Sequence, residues 1–462
     1  MSKPVHLRIP FGLGARLLDI VHRKGKHEYV AFGLVSHARL GTTDVLLLRD
    51  LLELQENDYF PSPGHGAAWR GIATVPIINR AVDEQLGIIL FHAHPGTGPP
   101  ALSNDDEQNA DRLVPTFQQR IPARPHGSVV LSSTLAGGLV NMPHERTARR
   151  DLRLRWYGTS ILDWPPTRAT RRASEDTYAR QEVLVGTAGQ DALRAATIAV
   201  VGLGGGGSHV VQQLAHLGIG HLILVDDDHA ESTNRHRVIG MTRADAKLRR
   251  PKVRVMRRLV RQIGMGTRTS LVPERLPAQA VIDAIKQADI IMGCVDNLDA
   301  KADLQQIAHR YLIPYIDIGL GIRPIAPETP GDQRVIIGGN VITYLPGDFC
   351  LWCSNHLTPE KVELDRGGPK GYVHGRPAQA QVVSLNGLLA SQAVNEALQL
   401  LTGFDGTNIR PASRAANPAT GGHRGFKKLN GNQGTLEEWG GQRRAECSHC
   451  KQDEARGEAT WR

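Results

Sequence analysis

The segment TIAVVGLGGGGSHVVQQLAHLGIGHLILVDDD, residues 197–228, decides the fold of the larger part of this chain. One apolar run ends at a glycine loop, and a second apolar run ends in three aspartates. This order predicts a strand, a loop, a helix and a second strand, in which the glycines allow a helix N-terminus to approach phosphate groups. The spacing Gly202-x-Gly204-x-x-Gly207 therefore predicts a nucleotide site. Alone, it is most typical of dinucleotide-dependent oxidoreductases, for which Asp226 suits a ribose.

The residues after the second strand distinguish between kinds of nucleotide enzyme. In chain order they read VDDDHAESTNRHRVIG from residue 225, RRPKV from residue 249 and GCVDN from residue 293. An oxidoreductase does not need an Asn, an Arg and a Lys at these places. An enzyme that joins AMP to a carboxylate needs cations for the triphosphate and a carboxylate for Mg²⁺. The ordered set resembles the ThiF/MoeB family of the ubiquitin-activating-enzyme superfamily, over about residues 175–455.

This resemblance implies an adenylyltransferase that uses ATP and Mg²⁺. The loop glycines would cradle the phosphates, Asp228 would hold the ribose hydroxyls, and Asp296 would hold Mg²⁺. Asn234, Arg237 and Lys252 would contact the phosphates, and the last two, with Asp296, would carry the catalytic role. The nucleotide-binding set implied is Gly202, Gly204, Gly205, Gly206, Asp228, Asn234, Arg237, Lys252, Asp296 and Arg180.

Arg180 stands apart from the rest of this set, in the stretch YARQ at residues 178–181. It matches the arginine that, in the ThiF/MoeB family, reaches the ATP of the neighbouring subunit. The resemblance therefore implies a homodimer formed through the ThiF-like domain.

A second constellation lies upstream, in FHAHPGTGPPALSNDDE, residues 91–107. Residues two apart in a strand point to the same face, so a strand here would put the imidazoles of His92 and His94 side by side. Two histidines and a carboxylate leave an open position on zinc, and the metal lowers the pKa of a bound water towards about 7. Two histidines before a loop can also be ordinary residues, but the proline and the Ser-x-x-Asp that follow favour a metal site.

The order His-x-His-Pro, spacer, Ser-x-x-Asp resembles the JAB/JAMM/MPN metalloprotease family, over about residues 1–155. The site that this implies has zinc ligands His92, His94 and Asp106, with Ser103 stabilising the tetrahedral intermediate and Glu28 as general base. Eight residues separate His94 from Ser103, against seven in the family, which leaves Asp105 as an alternative to Asp106.

Four of the five cysteines form two Cys-x-x-Cys pairs, Cys350 with Cys353 and Cys447 with Cys450. Four thiolates predict a closed structural zinc site that ties the C-terminal segment to the domain, and ThiF/MoeB proteins carry the same pairs. The fifth, Cys294, follows an apolar run and is predicted to be a small core residue. Ubiquitin-activating enzymes carry a thioester cysteine between these pairs, and this chain has none there, so we expect no covalent acyl-enzyme.

The predicted fold class is α/β with two domains. A mixed α/β JAB/MPN-like domain occupies residues 1–160, a basic Pro-rich linker residues 161–176, and a Rossmann-like ThiF/MoeB domain with a structural zinc residues 177–462. In the ThiF/MoeB-like domain, strands alternate with helices, which predicts a parallel sheet with helices on both faces.

Composition excludes several classes of protein. The chain is 22% charged and 40% hydrophobic, with no signal-peptide features and no apolar run of roughly 18 residues. We therefore expect a cytoplasmic protein without a membrane span. The net charge of +9 comes partly from residues 145–172, and it favours an acidic protein partner or a nucleotide over nucleic acid.

Together, the two resemblances imply a bifunctional enzyme acting on the Gly-rich C-terminus of a ubiquitin-like protein. One half would adenylate the terminal carboxylate, and the other would hydrolyse an amide or isopeptide bond after it, as in bacterial JAB–ThiF conjugation systems with a conjugating enzyme, some of them antiviral. One alternative is activation of a sulfur carrier for thiocarboxylate formation. Another is a nucleotide-sensing binding module with an inactive protease domain.

Overall fold

Two eight-stranded sheets organise the chain in the computed structural model. The structure describes residues 4–25, 28–60, 67–94, 104–132, 136–143, 145, 148–158, 160–164, 176–325, 334–366, 380–404, 425–439, 443–444, 447, 449 and 457. The N-terminal elements are β1 (Val5–Ile9), α1 (Phe11–Val21), β2 (Ala31–Leu40), β3 (Thr43–Glu53), α2 (Val75–Asp83), β4 (Gly87–Ala93), α3 (Asn104–Arg120), β5 (His126–Leu131), β6 (Ala136–Asn141), β7 (Arg149–Tyr157) and β8 (Ile161–Trp164).

The N-terminal sheet has the order β1-β3-β2-β4-β5-β6-β7-β8, and β1 also pairs with β7. Strands β2 to β6 follow apolar runs of the sequence, and their aliphatic side chains fill one core that includes Leu34, Ile89 and Val129. The helix after the His-x-His stretch is α3.

The start of the predicted linker belongs to this sheet. Residues Ile161–Trp164 form β8, which pairs with β7 through Leu154 opposite Trp164. The Arg155 guanidinium binds both carboxylate oxygens of Asp163, at 2.7 and 2.8 Å. The Pro-rich part of the proposed linker, residues 165–175, lies outside the described residues.

The C-terminal part begins with a helix and continues in strand–helix alternation. Its elements are α4 (Ala179–Ala195), β9 (Thr197–Val201), α5 (Gly205–His216), β10 (His221–Val225), α6 (Arg243–Lys247), α7 (Lys252–Ile263), β11 (Arg268–Val272), α8 (Gln279–Ile285), β12 (Ile290–Gly293), α9 (Leu298–Tyr311), β13 (Tyr315–Pro324), β14 (Val335–Tyr344), α10 (Pro359–Arg366), α11 (Val383–Thr402), β15 (Phe426–Asn430) and β16 (Thr435–Glu438). None of the described helices combines the length and apolar character that a membrane span requires.

The second sheet has the order β11-β10-β9-β12-β13-β14-β15-β16. Its first five strands are parallel, as predicted, whereas β14 to β16 add an antiparallel extension that the sequence pattern did not indicate. The chain order reverses between β9 and β12, and open parallel sheets bind ligands at the carboxyl ends of strands beside such a switch point.

The two sheets share buried contacts. One core cluster combines Leu47 and Tyr157 of the N-terminal part with Tyr315 and Phe349 of the C-terminal part. The buried guanidinium of Arg8 donates to the Tyr311 carbonyl oxygen at 2.6 Å. The N-terminal part therefore packs directly on the nucleotide-binding fold.

Candidate nucleotide site and metal centres

The glycine loop joins β9 to α5 at the edge where the parallel strands end. Gly202 has a φ of +88°, and a Cβ there would meet the Cys294 carbonyl oxygen at 2.7 Å. A Cβ at Gly204 or Gly206 would meet no described atom within 4 Å. Gly204 is the N-cap of α5 and supplies no side chain to cap it. The N–H groups of this first turn therefore lie beside open space, which is the arrangement that binds phosphate.

Asp226 holds this loop in position. Its Oδ2 accepts a hydrogen bond from the Leu203 N–H at 2.6 Å, and its Oδ1 accepts one from the Asp228 N–H at 2.8 Å. Burial raises the pKa of Asp226 above its ordinary value, while the charge of Lys252 and the two N–H donors lower it. Sequence reasoning saw only a ribose ligand here, although a carboxylate directly after a strand end was the available signal for a loop support.

Lys252 and Asp228 lie together beside the loop. Lys252 Nζ is 2.7 Å from Asp228 Oδ2 and 3.9 Å from Asp226 Oδ1. A bridge between His229 and Pro251 joins the two chain segments. Lys252 is 8% exposed, whereas the Asp228 side chain is 68% exposed. The ammonium group is thus fixed next to the loop, and the carboxylate is open to a ligand.

The turn that carries Asn234 and Arg237 is ordered by its own hydrogen bonds. Asn234 is buried, and its Oδ1 accepts from the Glu231 N–H at 3.2 Å. Arg237 Nη1 donates to the Thr233 carbonyl oxygen at 2.6 Å. The remaining N–H groups of this guanidinium can still donate to a phosphate.

Asp296 lies at the end of the strand next to the loop. The Cys294 N–H donates to the Val201 carbonyl oxygen at 2.8 Å, which continues the ladder between β12 and β9. Asp296 follows two residues later with an exposed side chain. Three further carboxylates, those of Asp226, Asp227 and Asp228, lie within 4.8 Å of one another. Both Asp296 and this cluster offer the oxygen ligands that Mg²⁺ prefers.

A buried ion pair supports this edge from below. Lys301 Nζ donates to Asp317 Oδ2 at 2.7 Å, and the two side chains are 4% and 0% exposed. The Tyr315 hydroxyl donates to Asp317 Oδ1 at 2.8 Å. Burial lowers the pKa of His356, 3.4 Å from Asp317 Oδ2, to about 4. Sequence reasoning missed this pair, and only the lysine in the second turn of α9, shortly after Asp296, hinted at it.

Arg180 lies at the opposite edge of the sheet. Its neighbour Gln181 donates to the Leu217 carbonyl oxygen at 3.0 Å, directly after the end of α5. The glycine loop precedes the start of α5, a helix of 12 residues, and such a helix is about 18 Å long. Arg180 is therefore remote from the nucleotide site of its own chain.

Three cysteines meet at the predicted structural zinc site. Cys350, Cys353 and Cys447 are buried, and the sulfur of Cys350 lies 3.7 Å from that of Cys353 and 3.8 Å from that of Cys447. Sulfurs placed about 2.3 Å from one tetrahedral zinc ion are roughly 3.8 Å apart. The three thiols therefore fit a zinc site, although Cys450 lies outside the described residues.

Cys294 is half-buried and packs against the core on the side of α5. Burial raises the pKa of its thiol to about 12, and the nearby charge of Asp317 adds to this rise. A thiol of such high pKa is a poor nucleophile, in agreement with the predicted structural role.

The two histidines of the N-terminal constellation lie side by side at the end of β4. The ring centroids of His92 and His94 are 5.0 Å apart. Strand β2 runs antiparallel to β4 with Ala31 opposite Phe91. Glu28 lies three residues before the start of β2, outside the paired part of the two strands. The fold thus brings His92 and His94 together at the end of β4, while Glu28 belongs to the segment that leads into the neighbouring strand β2.

The remaining residues of this constellation cannot be placed as side chains. Ser103 lies outside the described residues. Asp105 and Asp106 fall at the start of α3, and their side chains lie outside what the structure describes.

Comparison with known proteins identifies the C-terminal part. The ThiF family's sequence model matches residues 178–436. The chain is 28% identical over 259 residues to the sulfur carrier protein ThiS adenylyltransferase of Escherichia coli, covering 53% of this chain and 92% of that protein. It is 31% identical over 187 residues to the molybdopterin-synthase adenylyltransferase of Salmonella typhimurium, covering 40% and 70% of the two chains.

Two further proteins show the range of these matches. The mouse adenylyltransferase and sulfurtransferase MOCS3 is 30% identical over 227 residues, which cover 44% of this chain and 48% of that protein. The crystal structure of E. coli MccB with ATP has a TM-score of 0.44 and 18% identity, covering 60% of this chain and 74% of that chain. Because the family model covers more than half of the sequence, the chain belongs to the ThiF family.

Proposed function

We propose that this chain is an ATP-dependent adenylyltransferase that activates the C-terminal carboxylate of a small carrier protein. The observation that carries the proposal is the grouping at the switch point: the uncapped first turn of α5, the fixed ammonium of Lys252 and the open carboxylate of Asp228. Donors for phosphate and an acceptor for ribose hydroxyls lie within one edge of the sheet.

The geometry supports a direct displacement at the α-phosphorus of ATP. The carrier's carboxylate oxygen attacks this phosphorus, the bond to pyrophosphate breaks, and an acyl-adenylate forms. Lys252 and the N–H groups of α5 neutralise charge that develops on the phosphates, and Arg237 adds a further cation through the N–H groups that Thr233 leaves available. Bound Mg²⁺, which Asp296 would hold, supplies positive charge to the leaving pyrophosphate.

A sulfur carrier is the kind of partner that we favour. The relatives described above are named as adenylyltransferases for ThiS or for molybdopterin synthase. The sulfur-carrier alternative therefore has better support than conjugation of a ubiquitin-like protein. The chain also has no cysteine between Cys353 and Cys447 to hold a thioester, so the acyl-adenylate itself is the product handed on.

We also propose that two copies of the chain complete the nucleotide site. Arg180 cannot reach the site of its own chain, and it is exposed beside two exposed apolar side chains, Val183 at 89% and Leu184 at 55%. A second copy that covers these residues would bring Arg180 to its ATP. The Arg180→Ala variant tests this: mixing it with a Lys252→Ala variant should restore part of the activity.

A second candidate activity, metal-dependent hydrolysis of a peptide or isopeptide bond, rests on the N-terminal part. The adjacent imidazoles of His92 and His94, with Glu28 three residues before the neighbouring strand β2, support a water-activating zinc site. The zinc content of the purified protein tests this second activity separately from adenylation. Purified chain should contain two zinc ions, the variant His92→Ala/His94→Ala one, and the variant Cys350→Ser/Cys353→Ser one. Equal zinc content in the histidine variant and the wild type would remove the support for this site.

The experiment for the main proposal is ATP–pyrophosphate exchange. Purified chain with Mg²⁺ and a diglycine-ended sulfur carrier protein should exchange labelled pyrophosphate into ATP. The same carrier lacking its last two residues is the control and should support no exchange. Exchange that does not depend on the carrier terminus, or none with any carrier, would contradict the assignment and favour a nucleotide-sensing module.

A further inference from the structure

One segment of the nucleotide-binding fold carries a large excess of positive charge. Residues 234–275 contain 13 Lys and Arg side chains and two acidic ones, whereas the entire chain has 55 and 46. Without this segment the chain would be slightly acidic. Positive charge is therefore concentrated in this segment of the nucleotide-binding fold, in addition to residues 145–172.

The centre of this charge is an arginine surface on α7. A groove of about 350 Å³ is lined by Arg254, Arg257, Arg258 and Arg261 with Gln262. The spacing of three and four residues sets these arginines along one side of the helix, over about 10 Å of its length.

Internal ion pairing leaves most of this charge facing outward. Asp245 of α6 is fully buried, and its oxygens accept from Arg258 Nη1 and Nη2, both at 2.6 Å. This bidentate pair clamps α6 to α7. By contrast, Arg254, Arg257 and Arg261 are exposed and form no ion pair within the part of the chain that the structure describes.

The composition of the surface favours a protein partner over nucleic acid. Residues 234–275 contain no Phe, Trp or Tyr on which a base could stack. The cations of the groove are all arginines, and the turn between α6 and α7 exposes 62% of Leu248. Arginine with an exposed apolar residue is typical of protein interfaces.

We propose that the arginine surface docks an acidic face of the carrier protein whose terminus is adenylated. This proposal rests on the proposed function, because α7 begins at Lys252 in the nucleotide site and then runs along the outside of the fold. A carrier whose tail enters that site must rest its body on the surrounding surface. Positive charge there accelerates the approach of an acidic carrier and holds it in register.

The test is charge reversal away from the nucleotide. Arg257→Glu/Arg261→Glu changes the far half of the surface and leaves Arg254, close to Lys252, intact. Arg112→Glu/Arg120→Glu on α3 is the matched control, since it reverses two exposed helical arginines elsewhere. The probe is a labelled, negatively charged sulfur carrier protein that lacks its last two residues, bound without ATP and followed by anisotropy at several salt concentrations.

We expect the α7 variant to bind this probe about tenfold more weakly, with a smaller salt dependence, while the control binds like the wild type. The KM for ATP should stay within about twofold, which also shows that the variant is folded. Equal probe binding by the α7 variant and the wild type would overturn the proposal. So would weaker binding of a short DNA duplex with unchanged carrier binding, which would assign the surface to nucleic acid.

The docking surface and the catalytic assignment can fail separately. Probe binding that depends on Arg257 and Arg261, without pyrophosphate exchange by the intact carrier, would support the surface and reject the adenylation. Pyrophosphate exchange by the intact carrier, together with unchanged probe binding in the α7 variant, would support the adenylation and reject the docking surface.

Discussion

Lys252 and Asp228 are joined twice: Nζ of the lysine is 2.7 Å from Asp228 Oδ2, and its backbone N–H donates to the Asp228 carbonyl oxygen at 2.9 Å. The first contact involves groups that a nucleotide would use, and the second fixes the start of α7 beside the aspartate turn. The ammonium position is therefore set by the backbone before any ligand arrives, which is the preorganisation that transition-state stabilisation requires.

Removing this ammonium should weaken catalysis far more than folding. We expect Lys252→Ala to lower the kcat of pyrophosphate exchange by about a hundredfold or more, since a fixed cation next to the phosphates is lost. Lys247→Ala, which removes an exposed lysine of the nearby helix α6, is the matched control and should keep full activity. Similar rates for the two variants would show that Lys252 does not act on the nucleotide.

The two proposed activities should respond to different carboxylates. Asp296→Ala removes the predicted Mg²⁺ ligand at the end of β12, so we expect loss of pyrophosphate exchange with unchanged hydrolysis of a carrier fusion. Glu28→Ala removes the predicted general base ahead of β2, so we expect the reverse. Both activities are measured on each variant. If either substitution abolished both, the two sites could not be independent.

Much of the nucleotide-binding fold follows from local sequence pattern. The apolar run, the glycine loop and the aspartates at residues 197–228 fix a strand, a helix and a strand, because each element forms through contacts close in the chain. Likewise, Gly403 after the apolar run predicts the end of α11, where it adopts a φ of 59°.

The supports of the site depend on contacts that no local pattern contains. Asp317 of β13 accepts a hydrogen bond from Lys301 of α9. Asp226 holds the glycine loop through backbone N–H groups, which any sequence would supply. The packing of the N-terminal part on the nucleotide-binding fold was also not predictable. It depends on single long-range contacts, such as the ion pair of Arg155 with Asp289.

Cys294 should be dispensable for adenylation. Its thiol pKa of about 12 leaves a negligible thiolate fraction near neutral pH, so it cannot serve as an acyl acceptor. We expect Cys294→Ala to retain pyrophosphate exchange within about threefold, and iodoacetamide to leave the wild-type rate unchanged. A thiol-sensitive adduct that forms between carrier and chain during ATP turnover, and that is absent in the variant, would show that Cys294 is an acyl acceptor and is not dispensable.

Asp245 should stabilise the protein in a pH-dependent way. The hydrogen bonds from Arg258 hold the pKa of this buried carboxyl well below its ordinary value. A depressed carboxyl pKa adds stability that is present above the ordinary pKa of about 4 and is lost as the pH falls towards the folded-state value. Asp245→Asn should therefore cost about 3 kcal/mol at pH 7, since it removes the carboxylate that pairs with Arg258 and leaves that guanidinium only the Gly240 carbonyl oxygen among the acceptors that the structure describes.

The free energy of unfolding, measured with urea between pH 7 and pH 3, tests whether the stability contributed by Asp245 falls as the pH falls. The difference between wild type and Asp245→Asn should shrink below about pH 4, because Asp245 then takes up a proton in the unfolded chain while it stays ionised in the folded protein. Asp283→Asn is the control: its carboxylate is half-exposed, forms an ion pair with Lys286 and accepts a hydrogen bond from Gln279, both about one turn away, so we expect less than about 1 kcal/mol at any pH. A constant difference between wild type and Asp245→Asn across this range would mean that the ion pair with Arg258 contributes nothing, and that the asparagine acts through packing alone.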